Sequence, residues 1–361
     1  MKKLLGVWLL AFILISGCSN AGEKSSEEQG EELEASLPSG TEPEILADEL
    51  DIPWSIAKTG DTFYMAERQG SIVKVQDGQK ERQKAKLEKK LSTAAEAGLL
   101  GFVLTPDFSK SNKAYAYYTY ENSTGQFNRI VILQLQDRVW REESVLLDNI
   151  PSGQYHHGGR LEIGPDGKLY ATTGDAAANP EIAQDLHSLG GKILRMNLDG
   201  TIPSDNPFPD SLVYSYGHRN PQGLAWSDDG ILYESEHGPS ANDEINKIMA
   251  GKNYGWPVIK GTETEDNMQS PLFISGENET WAPSGMAYHD GKLYTAALRG
   301  NAVLEFDLEA KKMRKLVSNL GRIRDIFIEG ENLYFISNNT DGRGNPLDKD
   351  DKLYKISLTD S

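Results

Sequence analysis

The feature that most limits what this chain can fold into is a turn signal that returns six times. It reads Gly60-Asp61-Thr62-Phe63-Tyr64, then Asn112-Lys113-Ala114-Tyr115-Ala116-Tyr117, then Asp166-Gly167-Lys168-Leu169-Tyr170. It continues as Asp229-Gly230-Ile231-Leu232-Tyr233, Asp290-Gly291-Lys292-Leu293-Tyr294 and Glu329-Gly330-Glu331-Asn332-Leu333-Tyr334. A turn pair of the Asp-Gly kind ahead of alternating apolar residues is a hairpin cue. A second short apolar run follows each copy, at residues 71–75, 129–135, 192–197, 243–248, 302–307 and 352–357. A small sheet cannot bury both faces alone, and stacking such sheets radially does so while leaving only short edges. No long stretch carries a helical apolar stripe; the best candidate, residues 80–97, is mostly charged. The expectation is an all-β, six-bladed β-propeller over residues 42–361, with a β-sandwich as the alternative. Residues 44–75 are expected to pair with residues 352–357 where the ring closes.

The N-terminus reads differently. Lys2 and Lys3 precede an apolar run at residues 4–15, shorter than the roughly 20 residues a membrane span needs. This is the pattern of a signal peptide, residues 1–17. Leu14-Ile15-Ser16-Gly17-Cys18 resembles a bacterial lipobox, which makes Cys18 the expected lipidation site. The alternative is an ordinary secretory signal. Residues 18–41 hold Glu23, Glu27, Glu28, Glu31, Glu32 and Glu34 and hardly any large apolar residue. Such a segment cannot offset its ordering entropy and is expected to be a flexible tether. The expected location is the extracytoplasmic face of the cell membrane, with the lipid as the only attachment. Cys18 is the one cysteine, so an internal disulfide and a thiolate metal cluster are excluded. A formal charge of −17 supplies no broad cationic face for phosphate, which argues against nucleic acid as a partner.

Four loops carry the candidate chemistry. Tyr155-His156-His157-Gly158-Gly159-Arg160 offers imidazole, the side chain best matched to proton transfer near neutrality. On an extended chain the two histidines would face opposite ways, so one at most enters a central cleft; the alternative is that both only hydrogen-bond within a turn. Gly217-His218-Arg219-Asn220-Pro221-Gln222-Gly223 places a planar cation beside an amide, suited to a carboxylate or carbonyl ligand, or else to a structural ion pair. Glu236-His237-Gly238-Pro239-Ser240-Ala241-Asn242-Asp243-Glu244, followed by Asn253-Tyr254-Gly255-Trp256-Pro257, is dense in oxygen donors. Calcium takes six to eight oxygens, backbone carbonyls included, although the spacing is not that of an EF-hand and a solvated acidic turn fits as well. Gly321-Arg322-Ile323-Arg324-Asp325 sets two arginines at i and i+2, on one side of a strand. They would recognise an anionic ligand or offset nearby acids. Together the loops suit a flat polyanionic cofactor bound with calcium.

The motifs His-x-Gly-Gly-Arg-Leu, Gly-His-Arg-Asn-Pro-Gln-Gly, Gly-Pro-x-x-x-Asp-Glu-Ile-Asn, Asn-Tyr-Gly-Trp-Pro and Gly-Arg-x-Arg-Asp resemble, in order, those of the soluble quinoprotein glucose/sorbosone dehydrogenase family, which includes the aldose sugar dehydrogenases. Further matches are Ile52-Pro53-Trp54-Ser55, Glu67-Arg68, Gly98-Leu99-Leu100-Gly101-Phe102 and Pro106-Asp107-Phe108. The resemblance implies a six-bladed propeller that binds pyrroloquinoline quinone (PQQ) and Ca2+ and oxidises an aldose at its anomeric carbon to a lactone, with an external electron acceptor. It implies His156, rather than His157, as general base and Arg219 beside the reacting quinone carbonyl. Glu96, Asn220, Arg322 and Arg324 match cofactor-contacting positions. The carbonyls of Gly238 and Pro239 would hold the cofactor's calcium, and Glu244 and Tyr254 a second, structural one. Three positions depart from the pattern: Tyr155 where the best-studied branch has an aspartate, Leu298 where it has a lysine (Arg299 stands next to it), and Ala97 where many relatives carry glutamine. Two other functions stay open from the sequence. One is a surface propeller that binds carbohydrate or protein without catalysis. The other is a calcium-dependent lactone hydrolase, for which no set of carboxylates around one ion is evident.

Overall fold

A computed structural model describes residues 42–359. The expected signal peptide, tether and Cys18 lie outside the described residues. Within them the chain is all-β; a single helical turn, Phe108–Ser111, and a 3₁₀ turn, Pro180–Ala183, are the other regular elements.

The six turn signals each open a strand: Thr62–Glu67, Lys113–Asn122, Leu169–Thr173, Leu232–Glu236, Lys292–Ala297 and Asn332–Ser337. At Asp290-Gly291 both turn residues have left-handed φ (45° and 75°), and His289 pairs directly with Lys292. That is the primed two-residue turn whose twist matches the flanking strands. The strand before each signal and the strand after it pair antiparallel with it, so Ser71–Gln76, Gly125–Gln136, Lys192–Met196, Glu244–Ile248, Ala302–Asp307 and Leu353–Ser357 fall on the expected second runs. A fourth, outer strand completes each unit. Four sheets of four strands result, together with an eight-stranded sheet in which two meanders meet through parallel pairing of Ala85 with Trp140 and Lys86 with Arg141. In the last sheet the outer strand is Glu44–Ala47, which pairs with Leu353–Ser357. The expected closure between the two ends of the chain is therefore present. It involves only the first of the strands between residues 44 and 75; Pro53–Thr59, Thr62–Glu67 and Ser71–Gln76 belong to the next sheet.

The core lies between sheets. One buried cluster joins Ile56, Phe63, Met65 and Val73 of the first meander to Tyr334, Ile336 and Leu353 of the last. Another joins Tyr115, Tyr117 and Ile130 to Leu161, Leu169 and Leu194. Further clusters link the remaining neighbours in turn. Full burial of one such side chain stabilises by about 1.5–3 kcal/mol. Each sheet packs on two neighbours in cyclic order, which is the β-propeller class of fold and not a two-sheet sandwich.

The first strands of the meanders lie against one another around the middle. Five of them break register near their start: between Pro53 and Ser55, Leu99 and Phe102, Pro221 and Gly223, Pro283 and Met286, and Ile323 and Asp325. A bulge re-aims the side chains beside it. The residues at these breaks include Trp54, Leu100, Gln222 and Arg324, and all four line one central cavity.

Candidate active site

Two cavities open next to each other. The first, with about 360 Å³ of open space, is lined by the residues at the bulges and by Arg68, Glu96, His157, Gly158, His237, Leu298, Asp341 and Arg343. The second, about 260 Å³, is lined by Arg219, Glu236, Gly238, Pro239, Glu244, Tyr254 and Trp256, and His237 borders both. Next to Trp54 and Gln222 of the first lining, Arg160 pairs with Asp325 at 2.9 Å and donates through Nε to the Gln222 carbonyl. The Arg160 guanidinium lies 4.5 Å from the centre of the Trp54 ring. The strands approach so closely here that a Cβ on Gly101 would stand 2.3 Å from the Gly159 carbonyl oxygen.

The two histidines are not on an extended chain. His156 has φ 62°, and Gly158 and Gly159 also have positive φ, so the chain here is not extended and the alternation behind the expectation of opposite-facing side chains does not apply. His156 Nδ1 lies 2.7 Å from Asp175 Oδ1, and the His156 N–H donates to Glu96 Oε2 at 3.2 Å. Burial pushes the Asp175 carboxyl up, but hydrogen bonds from His156, the Ala177 N–H and Trp256 Nε1 outweigh it and leave it below the usual carboxylate range. His157 is 1% exposed, and its Nδ1 pairs with Ser152 Oγ. Burial pulls its pKa down to about 4, so the ring is neutral at pH 7.

The arginines differ in how they are held. The Arg219 backbone N–H donates to Glu236 Oε2, its Nη1 reaches the His237 carbonyl, and its guanidinium lies 5.3 Å from the Trp256 ring centre. Asn220 accepts the Gly158 N–H through Oδ1. Arg322 precedes the strand Ile323–Glu329 and pairs with Asp341 at 2.8 Å. Arg324 donates to Gln222 Oε1, Ser284 Oγ and Asn338 Oδ1. Its partners are neutral, and burial, with Arg322 beside it, pulls its pKa down to about 9. The bulge at Ile323–Asp325 breaks the simple alternation expected for this arginine pair, and the two guanidinium groups have separate partners. Arg299 is exposed and lines neither cavity, while Leu298 forms part of the first wall.

Gly238 donates its N–H to Asp243 Oδ1, and its carbonyl accepts from the Ser240 N–H. Asp243 also accepts from Thr280, Trp281 and Ala282, which pins the Gly238-Pro239 turn. Glu244 accepts from Asn246 Nδ2 and the Gly261 N–H. The Tyr254 hydroxyl donates to the Lys247 carbonyl and accepts from the Met249 N–H, and its ring stacks on His218.

Of the expected residues, Glu96 and Arg324 line the first cavity and Arg219, Gly238, Pro239, Glu244 and Tyr254 the second. His156, Asn220 and Arg322 border neither but each contacts a wall, through Glu96, Gly158 and Asp341. The sequence reading missed Asp175 and Arg343, which come from distant connectors and carry no local motif. It also missed a buried set formed by His218, Glu234 and Glu236, whose ligand atoms lie within 4.8 Å of one another. Glu234 and Glu236 stand at i and i+2 of one strand, which sends both to one face, and that spacing was readable.

The sequence profile of the family described as Glucose / Sorbosone dehydrogenase matches residues 50–349. The aldose sugar dehydrogenase YliI of Escherichia coli is 31% identical over 337 residues, covering 80% of this chain and 87% of its own length. Quinoprotein glucose dehydrogenase B of Acinetobacter calcoaceticus is 37% identical over 212 residues, 51% of this chain; the match spans only 44% of that relative. Among solved structures, the PQQ-bound aldose sugar dehydrogenase of Streptomyces coelicolor superposes with a TM-score of 0.81 at 34% identity, covering 89% of this chain and 99% of that one. On the match of fold, motif order and sequence, this chain belongs to the glucose/sorbosone dehydrogenase family.

Proposed function

We propose that this chain is a six-bladed propeller dehydrogenase that oxidises an aldose at the anomeric carbon to its lactone, with PQQ and Ca2+ as cofactors. The observation that carries the reading is the state of the buried polar atoms around the two cavities. Nε of Arg219, Arg322 and Arg324 and Nε2 of His157 and His237 have no partner. Buried polar atoms left without partners cost free energy, and a flat polyanion rich in carbonyl and carboxylate oxygens would accept from the three arginine N–H groups. Relatives named as aldose sugar dehydrogenases and a PQQ-bound neighbour support the same ligand.

When bound, PQQ would supply the two-electron acceptor for the sugar's hydride. His156 takes the sugar's hydroxyl proton. Asp175, held below the usual carboxylate range and fixed by three donors, holds Nδ1 of that ring and orients it. Arg219, stacked on Trp256, supplies positive charge where negative charge develops. Arg322 and Arg324 bind and orient, and the apolar walls Leu100, Leu298 and Trp54 exclude water.

The carbonyls of Gly238 and Pro239 are the proposed ligands of the cofactor's calcium. Glu244 and Tyr254 are the proposed pair at a second ion; the Tyr254 hydroxyl is engaged by backbone, so its carbonyl is the available donor. Three carboxylates, Glu234, Glu236 and Glu244, all accept from Asn246 Nδ2. A hard divalent cation would relieve their repulsion. His218 and Glu234 are fully buried, which suits a structural ion. Lipidation at Cys18 and attachment to the outer face of the membrane complete the proposal, and the final electron acceptor is external.

The test is dye reduction by the full chain reconstituted with PQQ and Ca2+ and offered a broad aldose panel. Turnover with at least one sugar is expected, lost in His156→Ala while the cofactor stays bound. Absence of dye reduction with every sugar would favour the non-catalytic propeller; a dead His157→Ala beside an active His156→Ala would reassign the base.

A further inference from the structure

The cations around the first cavity are held in unlike ways. Arg322 is committed to Asp341, and Arg324 is enclosed by amide and hydroxyl oxygens. The Arg343 side chain is 40% exposed, and its Nη1 lies 2.8 Å from Glu96 Oε1. It stands on the connector between Asn332–Ser337 and Leu353–Ser357. Glu96 stands on the connector between Gln79–Lys86 and Leu99–Leu104, 247 residues away in the chain. One ion pair therefore joins two distant connectors at the wall of the cavity.

Both ends of that pair are held in place by the backbone around them. Arg68 donates to the carbonyls of Ala97 and Ala95, clamping the chain on either side of Glu96. The second oxygen of Glu96 accepts the His156 N–H. The Arg343 N–H donates to Asp341 Oδ1, and its guanidinium lies 5.9 Å from the Tyr155 ring centre. Arg343 is thus a cation on a fixed base, facing the cavity, whose carboxylate partner belongs to the protein and not to a ligand.

We propose that Arg343 is a ligand-binding residue of the first cavity, kept in position by Glu96, and that it exchanges Glu96 for a carboxylate of the entering polyanion. The proposal rests on the cofactor reading above. Exchange of one carboxylate for another keeps the guanidinium paired throughout and places the cost of the exchange on Glu96, whose Oε1 gives up its partner. Preorganisation by Glu96 removes part of the ordering cost. Glu96 then competes with the ligand, which gives the proposal its sign: neutralising Glu96 strengthens binding, and neutralising Arg343 weakens it.

The experiment is an equilibrium titration of the full chain with PQQ at fixed Ca2+, followed by quenching of tryptophan fluorescence, since Trp54 lines the cavity. Arg343→Gln is expected to raise Kd about tenfold, the size of one charge-assisted contact. Arg343→Lys should recover part of that loss and guards against misfolding of the first variant. Glu96→Gln should lower Kd by about threefold or more. An Arg343→Gln affinity within twofold of wild type overturns the proposal. So does a Glu96→Gln loss equal to that of Arg343→Gln, which would make the pair a structural clasp. Failure of the wild-type chain to bind PQQ at all overturns the cofactor reading itself, and this proposal with it.

Discussion

His156 and His157 are adjacent in the chain and differ in almost every property that matters for chemistry. His156 is tied to an ionised carboxylate. His157 is enclosed, tied to a hydroxyl, and held neutral by burial. The difference follows from one left-handed residue and two glycines, a backbone detail that adjacency in sequence does not reveal. It has a consequence for stability. The folded His157 takes a proton near pH 4, against 6.5 for the free side chain. Between those values the unfolded chain binds more protons, so stability falls as pH drops from 6.5 to 4 and falls no further from this group below that. Unfolding free energies of the cofactor-free protein across that window should therefore show a slope that His157→Gln flattens. Identical slopes in the two proteins would mean that the ring is not enclosed as described. Asp175 was not legible for a related reason: its role depends on Trp256, His156 and Ala177 converging on it, and no spacing in the chain encodes that meeting.

Hairpins were legible because turn chemistry and alternation agree within a few residues. The outer strands were not. Gln79–Lys86 reads Gln-Lys-Glu-Arg-Gln-Lys-Ala-Lys and is mostly exposed; its pairing with Ser71–Gln76 on one side, and at Ala85 and Lys86 with Val139–Pro151 on the other, makes it a strand. The register breaks in the first strands were also invisible, although they aim Trp54, Leu100, Gln222 and Arg324 at one cavity. At the break between Leu99 and Phe102, glycine permits a very close approach of the next unit's backbone. Gly101→Ala would place a methyl 2.3 Å from the Gly159 carbonyl oxygen. The neighbour is backbone and cannot rotate away, so the variant should lose about 1–3 kcal/mol of stability, read as a lower urea midpoint. An unchanged midpoint would show that the inner strands are not packed this tightly.

At the scale of the whole molecule, packing between sheets in cyclic order and the pairing of Glu44–Ala47 with Leu353–Ser357 turn a linear repeat into a ring. The ring gathers into one region loops that the sequence spreads from Glu96 to Arg343. That is why each motif was readable singly while their meeting was not. An acidic chain of formal charge −17 places Arg68, Arg324 and Arg343 around one hollow, with Glu96 and Asp341 the acids among its lining; the proposed polyanionic ligand accounts for the excess of arginine there. The most direct test compares PQQ binding by the wild-type chain and by Arg324→Ala, with Ca2+ present and after its chelation. The expected result is saturable binding at one site per wild-type chain, weakened about tenfold or more in Arg324→Ala and reduced by chelation. Equal affinity in the two proteins, or no binding by either, would contradict the account.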